Sequence, residues 1–276
     1  VMDTTSLLRD DALLRVFDSG SGYPVVFQHG LGGDEAQARG NFPDGPEFRR
    51  ITVECRGQGA SCAGSIRPFS IAMFADDVLA AVDARGISHF VVGGISMGAA
   101  IALRVAIRHP ERVAALILAR PAWVQQPAPE NMQAYAEVAS WLRRLPPKGA
   151  RAAFAASPIG ERLKREAPDN LASLLGFFDR PDAKLTADLL ADIAADGPGI
   201  SDADIAAIAV PTLVIGHGID IAHPLAYAQD LASRIAGATL VEITPKATDK
   251  ARHTAEFRSA VQSFLTLVIP AMEPLS

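Results

Sequence analysis

Short β-rich runs alternate with stretches of helical periodicity from Leu13 to Ala119, and no other feature of the chain restricts its fold as much. LLRVF (Leu13–Phe17), PVVFQHG (Pro24–Gly30), RRITVECRG (Arg49–Gly57), HFVVGGI (His89–Ile95) and VAALILA (Val113–Ala119) read as strands, with SGSGY as the turn between the first two. Between the later runs, Ile71, Phe74, Val78 and Val82 recur at helical spacing up to Gly86, and GAAIALRVAIRH forms a second helix closed by Pro110. Strands that are apolar on both faces and separated by helices belong in a parallel sheet covered on both sides.

The alternation stops at Pro121. From there to about Ala209 the chain offers only amphipathic helical segments, such as NMQAYAEVASWLRRL and LTADLLADIAA, separated by PP, SPIG, RPD and DGPG. Strand character returns in VPTLVIGHG, followed by the helix PLAYAQDLASRIAG, the strand ATLVEI and a last helix, AEFRSAVQSFLTLV. The expected fold class is α/β: a mostly parallel sheet with helices on both faces, residues 1–121 and 210–276, interrupted by an all-helical cap at 122–209.

With 276 residues, 49% hydrophobic, such a chain can bury roughly 75% of its unfolded surface and needs neither disulfide nor metal for stability. A net charge of −5 without a Lys/Arg block argues against nucleic acid or an anionic membrane as a partner. The longest apolar run, VVGGISMGAAIAL, is broken by glycines and shorter than the roughly 20 residues of a membrane helix. Cys55 and Cys62 lack partners at metal-ligand spacing and are expected as free thiols in a reducing cytosol. No secretory signal is visible in VMDTTSLLRDD, so a cytoplasmic location is expected.

Gly94-Ile95-Ser96-Met97-Gly98 fits G-x-S-x-G where a buried strand passes directly into a helix. A tight turn there lifts the Ser96 hydroxyl clear of the sheet edge and aims the Met97 N–H, at the helix start, where an oxyanion would form. The second oxyanion donor is expected from HGLGGD, as the N–H of Leu31; His29 in that stretch reads as a structural hydrogen-bonding residue.

QHGLGG, ECRGQGAS, GGISMGAA and PTLVIGHGIDIAHP together resemble the α/β-hydrolase superfamily, in its branch of small esterases, lactonases and cofactor-free haloperoxidases. Glu54 and Gln58 stand where that pattern has Asp and His. The likeness covers nearly the whole chain except the insertion, which falls where the family carries a helical cap. It implies Asp220, four residues ahead of Pro224, as the triad acid, with His217 and His223 beside it expected to bond locally. It also implies a histidine a few residues beyond ATLVEI, but that position falls at Ala247 or Thr248, and the adjacent Lys246 is a base only if burial lowers its pKa.

His253 is the remaining candidate base, and two arrangements are open. If the last helix starts at Thr248 or Asp249, His253 lies on the same helix face as Phe257 and points at the core or the cap. If it starts at Thr254, PKATDKARH is a loop long enough to carry His253 to Ser96 in the chain order Ser96, Asp220, His253.

The expected function is a serine hydrolase acting through an acyl-enzyme on a small, largely apolar ester or lactone, without metal or other cofactor. The alternative is a base-deficient relative that binds a small ligand or runs non-hydrolytic, cofactor-free chemistry. Trp123, Met132, Tyr135, Trp141, Phe154, Leu174, Phe177 and Phe178 would pack the cap and roof the pocket. Arg143, Arg144 and Lys148 could attract a carboxylate, though a solvated face is the simpler reading.

Overall fold

The computed structural model describes residues 2–271. Eight strands form one sheet: β1 (Met2–Arg9), β2 (Ala12–Gly20), β3 (Tyr23–Gln28), β4 (Phe48–Val53), β5 (Phe90–Ile95), β6 (Val113–Ala119), β7 (Thr212–Gly216) and β8 (Thr239–Glu242). Their spatial order is β1-β2-β4-β3-β5-β6-β7-β8. Strands β3 to β8 pair in parallel, and β2 is antiparallel to both β1 and β4.

The two-residue period of each strand sorts its side chains between two separate cores. Val25 and Phe27 of β3, Ala115, Ile117 and Ala119 of β6, and Leu213 and Ile215 of β7 face one layer. That layer is closed by α1 (Glu35–Asn41) and α11 (Lys250–Val268). Val26, Leu116, Leu118 and Val214 face the other, beneath α2 (Ile71–Asp83), α3 (Met97–Arg108) and α10 (Leu225–Arg234). Between β6 and β7 the chain is helical: α4 (Gln133–Arg144), α5 (Pro147–Ala155), α6 (Pro158–Glu166), α7 (Pro168–Leu175), α8 (Ala183–Ala195) and α9 (Asp202–Ala206). Their buried residues, Val138, Phe154 and Leu190 among them, are continuous with the second core, so this segment is fused to the sheet layer rather than hinged from it.

Strand β1 is a difference from the sequence expectation. Its residues are exposed along most of its length, and it is held by its ladder to β2. A strand that buries almost no apolar surface leaves little hydrophobic pattern to read. Helix α1, in the stretch after HGLGG, was not expected either; Asp34 caps it by accepting from the Gln37 N–H at 3.1 Å. Among the described residues no helix is long and apolar enough to cross a membrane, and Cys55 and Cys62 form no disulfide.

Candidate active site

Ser96 sits between β5 and α3 with φ 58° and ψ −113°. A non-glycine residue rarely adopts such a conformation, and it persists only where the surroundings enforce it. Here the enforcement is close backbone packing. A Cβ on Gly94 would stand 2.5 Å from the Gly98 carbonyl carbon, and one on Gly98 would stand 2.5 Å from the Gln28 carbonyl oxygen. Glycine at both positions lets β5, α3 and the end of β3 converge at the turn, and the serine between them is turned outward into a cavity of about 320 Å³.

The histidine at the Ser96 hydroxyl is His223. Its Nε2 lies 2.8 Å from Ser96 Oγ, and its Nδ1 lies 2.9 and 3.0 Å from the two carboxylate oxygens of Asp220. Pro224 ends this loop and α10 follows at once, so Asp220 and His223 share one tight turn after β7. The His223 backbone N–H donates to Asp220 Oδ1 at 3.1 Å, closing that turn. His223 therefore bonds locally, as its spacing suggests, and its second ring nitrogen reaches the serine as well.

His253 does not reach Ser96, which corrects the assignment of the base to it. Asp249 caps α11 by accepting from the Arg252 N–H at 2.9 Å, so the helix begins at Lys250, the earlier of the two arrangements. His253 then lies one turn before Phe257 on the buried face. Its Nδ1 is 2.9 Å from the Thr244 carbonyl oxygen, and its ring packs edge-on against His217 at 5.2 Å. His217 Nε2 approaches Asp220 Oδ2 to 3.3 Å without forming a hydrogen bond. Burial, with the Arg120 charge in support, pushes His217 down to about 4, so it is neutral at pH 7.

Asp220 is the most heavily bonded side chain of the site. Arg120, at the end of β6, donates to its Oδ2 from Nε at 2.8 Å and from Nη2 at 2.6 Å. Asn170, on α7, donates to Oδ1 at 2.9 Å, and its own Oδ1 accepts from the Ile221 and Ala222 N–H groups. A side chain from the helical segment thus fixes the turn that carries both Asp220 and His223. Burial opposes ionisation of Asp220, but the facing His223 and Arg120 outweigh it and hold the carboxyl well below the usual range. For His223, burial and then Arg120 oppose protonation, Asp220 favours it, and the net shift is downward.

The loop after β3 is tied down on its own side. Gly30 N–H donates to Gln37 Oε1 at 2.7 Å, Gly32 N–H to Gln58 Oε1 at 2.6 Å, and Gly33 N–H to the Gly30 carbonyl at 2.9 Å. No hydrogen bond from the N–H of Leu31 or Met97 is found among the described residues, and Leu31 lines the cavity together with Ser96. His29 accepts from the Cys55 N–H through Nε2 at 3.0 Å, so its Nδ1–H donates to the Gly30 carbonyl at 2.8 Å. Glu54 accepts from the Glu35 and Ala60 N–H groups and so braces the same corner.

Tyr135 and Phe177 reach the cavity. Trp123 is buried, with its indole N–H on the Asp196 carbonyl, and Phe154 packs on Phe178 at 5.8 Å. Arg143 pairs with Asp188 at 3.0 Å and Arg144 lies over the Trp141 ring, both away from the cavity.

A sheet of this order, a strained serine between a central strand and its helix, and an imidazole and carboxylate in line with it define the hydrolase class of α/β proteins. Residues 23–216 match the family described as alpha/beta hydrolase fold, and the chain belongs to that family. It is similar to 2-hydroxymuconate semialdehyde hydrolase of Pseudomonas sp. CF600, 35% identical over 42% of this chain and 43% of that enzyme. RutD of Klebsiella pneumoniae, described as a carbamate hydrolase, is 28% identical over 71% of this chain and 73% of its own length. Among solved structures, the enol-lactonase of Burkholderia xenovorans LB400 superposes with a TM-score of 0.71 at 24% identity, covering 95% of this chain and all of its own. The meta-cleavage product hydrolase of Pseudomonas fluorescens IP01 does so with 0.72 at 21%, covering 95% and 97%. At these identities the superpositions speak for the fold.

Proposed function

We propose that the protein is a serine hydrolase that cleaves a small carboxylic ester or lactone, with Ser96 as nucleophile, His223 as general base and acid, and Asp220 as the residue that orients and charges the imidazole. The observation that carries this reading is the unbroken line from Ser96 Oγ through His223 at 2.8 Å to Asp220 at 2.9 Å. In this reading Asp220 accepts from Nδ1–H, which leaves Nε2 with its lone pair toward the serine. Ser96 Oγ attacks the acyl carbon while Nε2 takes its proton, and the carbonyl oxygen gains charge against the N–H groups of Leu31 and Met97. The tetrahedral intermediate collapses, the alcohol oxygen leaves with the proton from Nε2–H, and the acyl group stays on Ser96. Water, deprotonated by Nε2, then releases the acid. The base-deficient alternative rests on the gap at Ala247 and Thr248, and the His223 contact with Ser96 favours the triad reading over it.

A fluorophosphonate probe is expected to add once per chain, at Ser96, and Ser96→Ala should abolish both labelling and ester turnover. Labelling at another residue, or undiminished turnover in Ser96→Ala, would refute the reading.

The depressed basicity of His223 gives a second expectation. A base works only when neutral, so activity is lost as pH falls through its pKa. With a neutral ester, the acid limb of kcat/KM should lie below the ordinary imidazole value of about 6.5. Arg120→Met should move that limb upward, because a cation that disfavours imidazolium is gone. A wild-type limb at or above the ordinary value would contradict the assignment of His223.

A further inference from the structure

The cavity in front of Ser96 has an unusual charge content. Arg120, Arg180, His223 and Lys246 line it, and no Asp or Glu does. Arg120 is neutralised by its double contact with Asp220 behind the wall. Arg180 makes no such pair, and the one carboxylate whose charge acts on it, Asp34, stands beyond ion-pair distance. Arg180 reaches from the helical segment to the core, where Nη1 donates to the Gly32 carbonyl and Nη2 to the Gly57 carbonyl, each at 3.0 Å. Among the described residues no carboxylate lies within ion-pair distance of it, whereas the buried Arg50 has one and the buried Arg56 two. Two carbonyls occupy two of the five N–H donors of a guanidinium and leave the rest for another acceptor. Lys246, half-buried on the loop between β8 and α11, also has no ion-pair partner among the described residues.

A partly buried charge without a counter-ion is unfavourable in the empty protein, and an anion that enters gains what the fold withholds. In a narrow site shielded from bulk water the attraction is far stronger than between exposed charges. Resting on the hydrolase reading above, we propose that the substrate carries a carboxylate besides its scissile ester or lactone, and that Arg180 and Lys246 recognise it. The planar fork of Arg180 suits a carboxylate, and Lys246 supplies the complementary point charge. This replaces the largely apolar substrate expected from the sequence with an amphiphilic one, its apolar part against Tyr135 and Phe177.

The test compares two methyl esters that differ in one terminus: monomethyl glutarate, which ends in carboxylate, and methyl pentanoate, which ends in methyl. Wild-type protein is expected to favour the glutarate in kcat/KM by about tenfold or more, chiefly through KM, with the preference shrinking as salt rises. Lys246→Met and Arg180→Gln should each erase most of that preference. Because Arg180 also holds Gly32, Arg180→Gln can disturb the loop after β3, and Lys246→Met is the cleaner variant. A parallel measurement is independent of turnover: calorimetric binding of pentanoate and of pentanamide to the Ser96→Ala protein, with pentanoate expected to bind tighter. Turnover of both esters with no preference, and equal binding of acid and amide, would overturn this inference and leave the hydrolase reading standing. Tighter binding of pentanoate with no turnover of either ester would do the reverse.

Discussion

His223→Ala is expected to lower kcat/KM for a neutral ester by roughly 10⁴-fold or more, while His253→Ala leaves it within a few-fold. In the triad chemistry proposed above, loss of the imidazole removes proton transfer in both half-reactions, and what survives is oxyanion stabilisation and binding. His223 is the ring within hydrogen-bond distance of Ser96 Oγ. His253 is separated from the serine by His217 and Asp220, and its own bond runs to the Thr244 carbonyl. Its replacement should instead appear as lost stability, about 1–3 kcal/mol, from the unpaired carbonyl and the space left against His217 and Phe257. Ester kinetics and urea denaturation on both variants separate the two effects. A large kinetic loss in His253→Ala beside an active His223→Ala would reverse the assignment.

Much of the fold was legible because its signals are local. A sheet buried on both faces leaves apolar runs such as VAALILA, and the covering helices leave 3.6-residue periods. The turn at Ser96 was legible for a different reason: Gly94 and Gly98 are required by contacts with backbone that a side chain would occupy. Strand β1 escaped because pairing with β2, rather than burial, holds it. Which histidine meets Ser96 depends on a distance that sequence does not carry. Asp-x-x-His before Pro224 declares a local Asp220–His223 bond, but a ring has two nitrogens. Only the packing of the β7 turn against β5 shows that the second one meets Ser96. Asp249 three residues ahead of Arg252, by contrast, was a readable cap placing His253 inside a helix. Asn170 and Arg180 had no signal at all, since each acts on a partner at least 50 residues away in sequence.

Asp220→Asn should separate orientation from charge balance at this site. The carboxylate accepts from Arg120, Asn170 and two His223 N–H groups, and it donates to none of them. An amide has one accepting oxygen, so every donor held by the other oxygen of Asp220 must meet an NH₂. With the oxygen kept on Arg120, the strongest donor present, the NH₂ takes the place of Oδ1, where it meets the Asn170 amide and the His223 backbone N–H as well as His223 Nδ1, and favours the tautomer with hydrogen on Nε2. Such a ring donates to Ser96 and cannot take its proton, and kcat is expected to fall roughly 10⁴-fold. The fold suffers separately, because Arg120 loses a buried counter-ion, a change of about 3–5 kcal/mol for a fully buried pair and less where, as here, the guanidinium keeps some solvent contact. Adding Arg120→Met to Asp220→Asn removes the stranded charge, so denaturation should recover much of the lost stability. Activity should not recover, because the tautomer is still wrong. A double variant that regains turnover would mean that Asp220 serves only to neutralise Arg120, and an Asp220→Asn protein within tenfold of wild type would deny the carboxylate any part in setting the imidazole.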